Sequence, residues 1–500
     1  VRNLKELLEA LPSKKIIGEI NFDINKIEYD SRKINSGDLF VAIPGFKEDG
    51  HEYIPSALKN GAIGVVAQKD GDYKPKVKVI VPDSREALAI LSNRFFDFPS
   101  EQLEVVAVTG TNGKTTITYL VKSILEKDGK KVGIIGTIAY FIGEEKMAAT
   151  NTTPESLDLQ RMFHQMQKSK IDSVVMEVSS HALSLKRVEG VDFNVAVFTN
   201  LNREHLDFHK TLSAYKKSKG LLFEMLSPKS FAIINMDDPN WRYFYDKAKA
   251  QRLTYSLDNP QADFYTKGFS CDWEGSQIDM ITPNGELKLN LKLLGESNIY
   301  NALGSAAVGT VLKVNLETIK AGLESVQGVP GRMERIQAGQ DFNILIDYAH
   351  TPYALERLLK TVRGFAKGDL FVLFGCGGDR DQGKRSQMGK VASLLADRIF
   401  LTEDNPRSED PKDIIDQIME GIKNKKKVEV IVDRKEGIKE ALKLAKRGDT
   451  LVLVGKGHED YQIKKGKKFH FSDKETVLEL LKTSAVDRPP LKNLGTRMRF

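Results

Sequence analysis

At 500 residues, with 41% hydrophobic and 29% charged side chains, the chain has an ordinary globular composition and is too long for one core; roughly two to four domains are expected. Its 75 Lys and Arg against 68 Asp and Glu leave a net charge of +7, which suits polyanionic small substrates and comes with no nucleic-acid reader motif, so no nucleic-acid partner is expected. Cys271 and Cys376 alone exclude a disulfide framework and fit a cytoplasmic location; no apolar run approaches the ~20 residues of a membrane span, so no membrane association is expected.

In residues 1–100, Gly37–Ile43 and Val77–Val81 read as strands, Ser84 as the cap of a helix through Phe95 and Phe96, and Pro99-Ser100 as a linker. Val105–Thr109 is an apolar run that breaks into Gly110-Thr-Asn-Gly-Lys-Thr-Thr116. Behind it, Ile117, Leu120, Val121, Ile124 and Leu125 recur at helical spacing up to Gly129. Strand, glycine loop and helix in succession predict a phosphate-binding P-loop, with backbone N–H groups around phosphate oxygens, Lys114 on the terminal phosphates and the Thr115 hydroxyl on Mg²⁺. Val108 stands where the first glycine of the usual motif belongs.

Further apolar strands are expected at 131–136, 173–178, 195–199 and 231–235, and the helical stretches between them predict a parallel sheet covered on both faces. Residues 253–293 read as a small antiparallel excursion, and Gln327–Gly331 as a second boundary. Strands near Ile344, Phe371, Ile399, Val430 and Leu451, roughly 20–30 residues apart, predict a Rossmann-like open sheet. The fold class is therefore α/β in three domains, 1–100, 101–330 and 331–486, followed by a basic tail over 487–500.

The polar residues gather at strand ends. Glu177-Val-Ser-Ser-His181 is placed either to hold Mg²⁺ or to cap a helix beside a surface glutamate. His181, His205 and His209 cluster near two neighbouring strand ends, which suits metal or phosphate work; nothing completes a zinc set. The lysines of Ser213–Phe223, Lys219 among them, read by composition as a solvated helix face. Asn298 and Asn301 share a helix face, to grip an adenine edge or cap the helix. Arg332 lies at the boundary. Asp347–Pro352, Gly375–Arg385, Asp404-Asn-Pro-Arg407 and Gly455-Lys-Gly-His-Glu459 end four strands and form one ligand rim, in which Arg380 and Arg407 suit a carboxylate and Glu459 an ammonium.

Taken together, Asp30-Ser-Arg32, Gly110–Thr116, Asn151-Thr-Thr153, Glu177–His181, His205, Lys219, Asn298/Asn301, Arg332, Asp347–Pro352, Gly378–Asp381, Asp404–Arg407 and Gly455–Glu459 resemble the Mur ligases, over residues 26 to 480. The resemblance implies an ATP-dependent ligase with a central P-loop ATPase-like domain between an α/β N-terminal domain for the UDP end and a Rossmann-like C-terminal domain for the amino acid. Gly110, Thr111, Asn112, Gly113, Lys114, Thr115 and Thr116, with Asn298, Asn301, Arg332 and Asp347, would then hold ATP. Thr115, Glu177, His205 and a CO₂-derived carbamate on Lys219 would hold Mg²⁺, and Lys114, Lys219, Glu177 and His205 would be catalytic. Ser31 would contact the uridine nucleotide, and Asn151, Thr152, Thr153, Ser179 and Arg187 the muramoyl-dipeptide. Arg380, Asp404, Asn405, Pro406, Arg407, Gly455 and Glu459 would form the amino-acid pocket. Asp-Asn-Pro-Arg is the form similar to members that add meso-diaminopimelate to UDP-MurNAc-L-Ala-D-Glu, and a monomer is expected. Leu185, Tyr353 and Phe46-Lys-Glu48 depart from residues found in some relatives. A lysine-adding or folylpolyglutamate-type ligase, or a P-loop nucleotide switch, are the other readings.

Overall fold

The structure, a computed structural model, describes residues 1–45 and 48–487. The expected tail from residue 488 onward and the loop residues Phe46 and Lys47 lie outside them. The chain divides into two compact units, one of residues 1–269, 277–291 and 297–326, the other of 270–276, 292–296 and 327 onward.

The first unit contains two main sheets. In the N-terminal one the strands run in the order Lys15–Gly18, Val77–Ile80, Ala62–Ala67, Asp38–Val41, Ile27–Glu28. Leu39 and Val41 pack into one apolar cluster and Phe40 and Ala42 into another, the two-residue alternation of a strand buried on both faces. The helix Ser84–Phe95 is capped by Asp83, whose carboxylate accepts from the N–H groups of Arg85 and Glu86, so the predicted cap at Ser84 is one residue late. An Asp with extended backbone reaches both free N–H groups of the first turn, which Ser84, already inside the helix, does not.

The larger sheet has the order Glu145–Ala148, Ala139–Ile142, Val132–Ile135, Ser173–Glu177, Glu104–Thr109, Val195–Phe198, Phe231–Asn235, Gln251–Tyr255. From Val132–Ile135 onward its pairs are parallel, and the hairpin at the first edge is antiparallel. Gln251–Tyr255 pairs parallel with Phe231–Asn235, so the irregular excursion begins after it, as the separate three-stranded sheet of Tyr265–Asp272, Gly275–Thr282 and Gly285–Leu291. The first strand, Glu104–Thr109, lies between Ser173–Glu177 and Val195–Phe198. The chain thus leaves it in both directions, and that reversal opens a crevice at the carboxyl ends where open α/β sheets bind ligands.

In the second unit the order is Glu334–Arg335, Asn343–Asp347, Thr450–Val454, Leu370–Phe374, Arg398–Leu401, Val428–Val430. All but the first pair are parallel. Helices Pro352–Arg363 and Gly383–Leu395 cover one face through Leu355, Leu359 and Met388, and helix Arg434–Leu444 the other through Ile438 and Ala441. Among the described residues no helix is long and apolar enough to cross a membrane.

Candidate active site

The carboxyl ends of three adjacent strands build the first cluster. Gly113, with φ +89°, precedes the helix Lys114–Lys127; a Cβ there would stand 2.5 Å from Asn301 Oδ1. Only glycine meets both conditions, and the helix N-terminus it opens is a ready anion site. Lys114 Nζ donates to the carbonyls of Gly110 (2.9 Å) and Thr111 (2.8 Å). Asn298 and Asn301 are buried and bonded to each other at 2.9 Å. Both lie inside the helix Glu296–Val311, which starts earlier than Ala302 because Asn298 packs inward.

Glu177 is only 1% exposed, which removes the alternative of a surface glutamate. Its Oε1 accepts from Thr115 Oγ1 at 3.0 Å and from the Thr137 N–H at 2.8 Å, and its Oε2 from Thr137 Oγ1 at 3.1 Å. Thr137 Oγ1 lies 3.0 Å from Thr152 Oγ1. Thr153 Oγ1 donates to the Glu177 carbonyl (2.9 Å) and accepts from Ser179 N–H (3.1 Å), and Arg187 Nη1 donates to the Thr153 carbonyl (3.0 Å). Tyr140 pins the Asn151 backbone by two hydrogen bonds, and Glu155 is held between Arg85 and Arg187. Asn151, Thr152, Thr153, Ser179 and Arg187 are thereby brought together beside Glu177. Ser31 is buried in a short turn of the N-terminal sheet capped by Asp30.

Lys219 contradicts the composition-based expectation of a solvated face. It is 1% exposed, donates to the Gly110 carbonyl at 2.8 Å and lies 4.7 Å above the Tyr215 ring. Burial, with the charge of Lys114 second, holds its ammonium well below the usual lysine range. Tyr215 in turn meets Thr111 Oγ1 at 3.2 Å. The rings of His205 and His209 stand 4.9 and 5.6 Å from His181, so the histidine cluster is real. The His205 imidazole is lowered from its ordinary range by desolvation, opposed by the Glu204 carboxylate and helped by the charges of Lys114 and Lys219.

Among the described residues, no group of three or more His, Cys, Asp and Glu is placed to hold a metal by itself. Mg²⁺ asks for less: it keeps several waters and takes one or two protein oxygens plus phosphates. The Thr115 hydroxyl and the buried Glu177 carboxylate, 3.0 Å apart, are a donor pair of that kind.

The second unit carries the other cluster. Asp347 is raised by burial against the opposing pull of the Arg332 charge, and accepts from the N–H groups of Met333 and Ala349; the Arg332 guanidinium stands 4.9 Å over the Tyr348 ring. In the rim, Asn405 Nδ2 donates to Glu459 Oε2 at 2.9 Å. Glu459 is raised by burial and by the Asp404 charge. Lys456, fully buried, reaches Glu459 at 3.4 Å. Arg407 Nη1 donates to the Gly378 carbonyl at 2.7 Å, and a Cβ on Gly455 would stand 2.8 Å from Asp404 Oδ2. Asp404, Asn405, Pro406, Arg407, Gly455 and Glu459 are therefore one constellation. Arg380 is on the adjoining loop, exposed and bonded to the neighbouring Asp379 carbonyl.

Family models described as Mur ligase family, catalytic domain, Mur ligase middle domain, and Mur ligase, glutamate ligase domain match residues 23–96, 108–309 and 331–457. A UDP-N-acetylmuramoyl-L-alanyl-D-glutamate--2,6-diaminopimelate ligase of Clostridium botulinum is 45% identical over 96% of this chain and 99% of its own. The chain belongs to the Mur ligase family. A solved structure of a ligase of the same name superposes with a TM-score of 0.69 at 31% identity, covering 96% of this chain and 99% of the other. The same fold is seen in MurF of Thermotoga maritima, solved in complex with ADP, with a TM-score of 0.64 at 19% identity, covering 93% of this chain and 98% of the other. In this Mur ligase, sequence reasoning missed Thr137, Tyr140, Glu155 and Lys456. Thr137 follows Gly136 at a strand end, and Lys456 sits inside a motif already singled out, so position alone could have found those two.

Proposed function

We propose that this Mur ligase joins meso-diaminopimelate to UDP-MurNAc-L-Ala-D-Glu in an ADP-forming reaction. Residues 1–100 would take the UDP end, 101–330 ATP and the acceptor peptide, and 331–486 the amino acid. The observation that carries the reading is the rim of Asp404, Asn405, Arg407 and Glu459, on a chain whose P-loop threonine is bonded to Glu177. A guanidinium beside two carboxylates matches an amino acid that brings a carboxylate and an ammonium on its distal centre. Burial and the Asp404 charge raise the cost of ionising Glu459, and a substrate ammonium beside it offsets that cost.

The acceptor's D-Glu carboxylate attacks the γ-phosphorus of ATP; an O–P bond forms, the bond to the bridging oxygen breaks and ADP leaves. The lone pair of the incoming amine attacks the acyl phosphate carbon, the tetrahedral intermediate collapses, phosphate leaves with the bonding pair, and the nitrogen loses its proton. Lys114 and the P-loop N–H groups stabilise charge on the phosphoryl oxygens. Thr115, Glu177 and His205 would hold Mg²⁺, which neutralises phosphate charge when bound. Lys219, a buried amine held below its usual range, is suited to add CO₂: its lone pair forms the N–C bond, a C=O electron pair moves onto oxygen, one proton leaves the nitrogen, and an anionic carbamate takes the place of the neutral amine. Arg407 selects the distal carboxylate; lysine lacks it and would leave the guanidinium charge without an anionic partner from the substrate.

The test is phosphate release and product mass with ATP, Mg²⁺ and UDP-MurNAc-L-Ala-D-Glu, comparing meso-diaminopimelate with L-lysine. The expected result is amine-dependent turnover with a preference of at least about 100-fold for meso-diaminopimelate. Equal use of lysine, or phosphate release without an amine, would overturn it.

A further inference from the structure

The hairpin of Tyr461–Lys464 and Lys467–His470 is not part of the rim, yet it is bonded along the length of the rim's central segment. It turns through Lys465 and Gly466, at φ +48° and +75°, the left-handed pair of a tight two-residue hairpin turn. On its inner strand the Ile463 carbonyl accepts from Arg407 N–H at 3.0 Å, and Lys465 N–H donates to the Arg407 carbonyl at 2.7 Å. Ile463 N–H donates to Asn405 Oδ1 at 2.9 Å, and Gln462 Nε2 to the Asp404 carbonyl at 2.8 Å. Lys464 Nζ reaches Glu403 at 2.5 Å. Gln462 is 4% exposed, so its amide has no water to fall back on.

What the hairpin holds is an unusual backbone. Arg407 has φ +55°, a left-handed conformation that is uncommon for residues other than glycine. The guanidinium leaves the backbone from that geometry to meet the Gly378 carbonyl at 2.7 Å. Asn405 is gripped from both sides, by Ile463 N–H through Oδ1 and by Glu459 through Nδ2. The hairpin thus holds the backbone between the arginine and the Asn405–Glu459 pair, in addition to the bonds within the rim.

We propose that the hairpin sets amino-acid specificity, with Gln462 as its positioning residue: the Gln462 bond to Asp404 locks Asp404–Arg407 so that guanidinium and carboxylates match the carboxylate and ammonium of the incoming amino acid. The proposal rests on the ligase reading above. Gln462→Leu keeps the bulk and removes the donor, leaving a buried carbonyl unpaired. Gly466→Ala acts from a distance, because its Cβ would meet nothing within 4 Å and only strains the turn.

Both variants are expected to raise KM for meso-diaminopimelate about tenfold and to shrink the ratio of kcat/KM for meso-diaminopimelate over lysine, while KM for ATP and for the UDP-substrate stays within roughly twofold. A merely structural role would lower activity towards all substrates alike. Unchanged discrimination in a folded Gln462→Leu, or parallel losses for every substrate, overturns the proposal; if that variant does not fold, Gly466→Ala decides by the same ratio. Wild-type turnover in the same assay separates the two readings: no use of meso-diaminopimelate removes the ligase reading and this one with it, whereas normal use with an unchanged variant ratio removes the hairpin's role alone.

Discussion

Gly113 shows how closely one residue can be specified. Its φ of +89° and the 2.5 Å gap its Cβ would leave to Asn301 Oδ1 act together. Gly113→Ala should lose ATP affinity by about tenfold or more, since left-handed strain of about 1 kcal/mol is joined by displacement of Asn301. Titration with a non-hydrolysable ATP analogue measures this, and unchanged affinity would show that the loop tolerates a side chain. The glycine loop was legible because its order, strand then glycines then helix, is local in the chain. Thr137 was not. Its partners Glu177 and Thr152 are 40 and 15 residues away, and a lone threonine has no periodic signature. Lys219 was legible as a motif match, whereas its burial was hidden by the lysines at 216 and 217, which together look like a wet helix face.

Arg434 opens the helix Arg434–Leu444 with a side chain that is entirely buried. It pairs with Asp473, at the start of helix Asp473–Asp487, at 2.7 Å with neither side chain exposed. It also donates to the Val454 carbonyl at 3.0 Å and to Thr402 Oγ1 at 3.3 Å. One residue thus ties two helices to the ends of two strands, which lead into Asp404–Arg407 and Gly455–Glu459. Arg434→Met should cost about 3–5 kcal/mol, because Asp473 is left buried and uncompensated, and replacing both partners by apolar residues should recover much of the loss. Urea unfolding of the single and double variants checks it; equal losses in both would mean the pair itself, not the orphaned charge, carries the stability. Strands of this kind were readable as Val and Ile runs because parallel strands are apolar on both faces. The hairpins Ala139–Ala148 and Tyr461–His470 were not: Glu145–Ala148 and Lys467–His470 are exposed throughout, so no hydrophobic pattern marks them.

At the scale of the whole chain, the P-loop and the cluster of Asn151–Thr153, Ser179 and Arg187 belong to one compact unit and the rim to the other. Substrate affinities should divide accordingly. Thr152→Ala is expected to raise KM for the UDP-substrate, and Arg407→Ala to raise KM for meso-diaminopimelate, each by about tenfold with the other KM within roughly twofold. Steady-state kinetics with each substrate varied in turn tests this, and coupled movement of both constants in either variant would contradict it. That polar residues gather at strand ends was legible in the sequence, since the carboxyl ends of parallel strands are where open sheets place them. The pairing order that sets Glu177 against the P-loop required the fold.

The line of hydroxyls from Thr152 through Thr137 to Glu177 has a thermodynamic consequence. Thr137 has one proton and gives it to Glu177 Oε2, so in its contact with Thr152 it is the acceptor and Thr152 the donor. A ligand that claims the Thr152 proton takes a donor from Thr137, and a ligand that draws Glu177 away frees one. Occupancy at either end changes the free energy of the other by the same amount, whichever arrives first. Order of addition in a binding experiment is then a matter of rate alone.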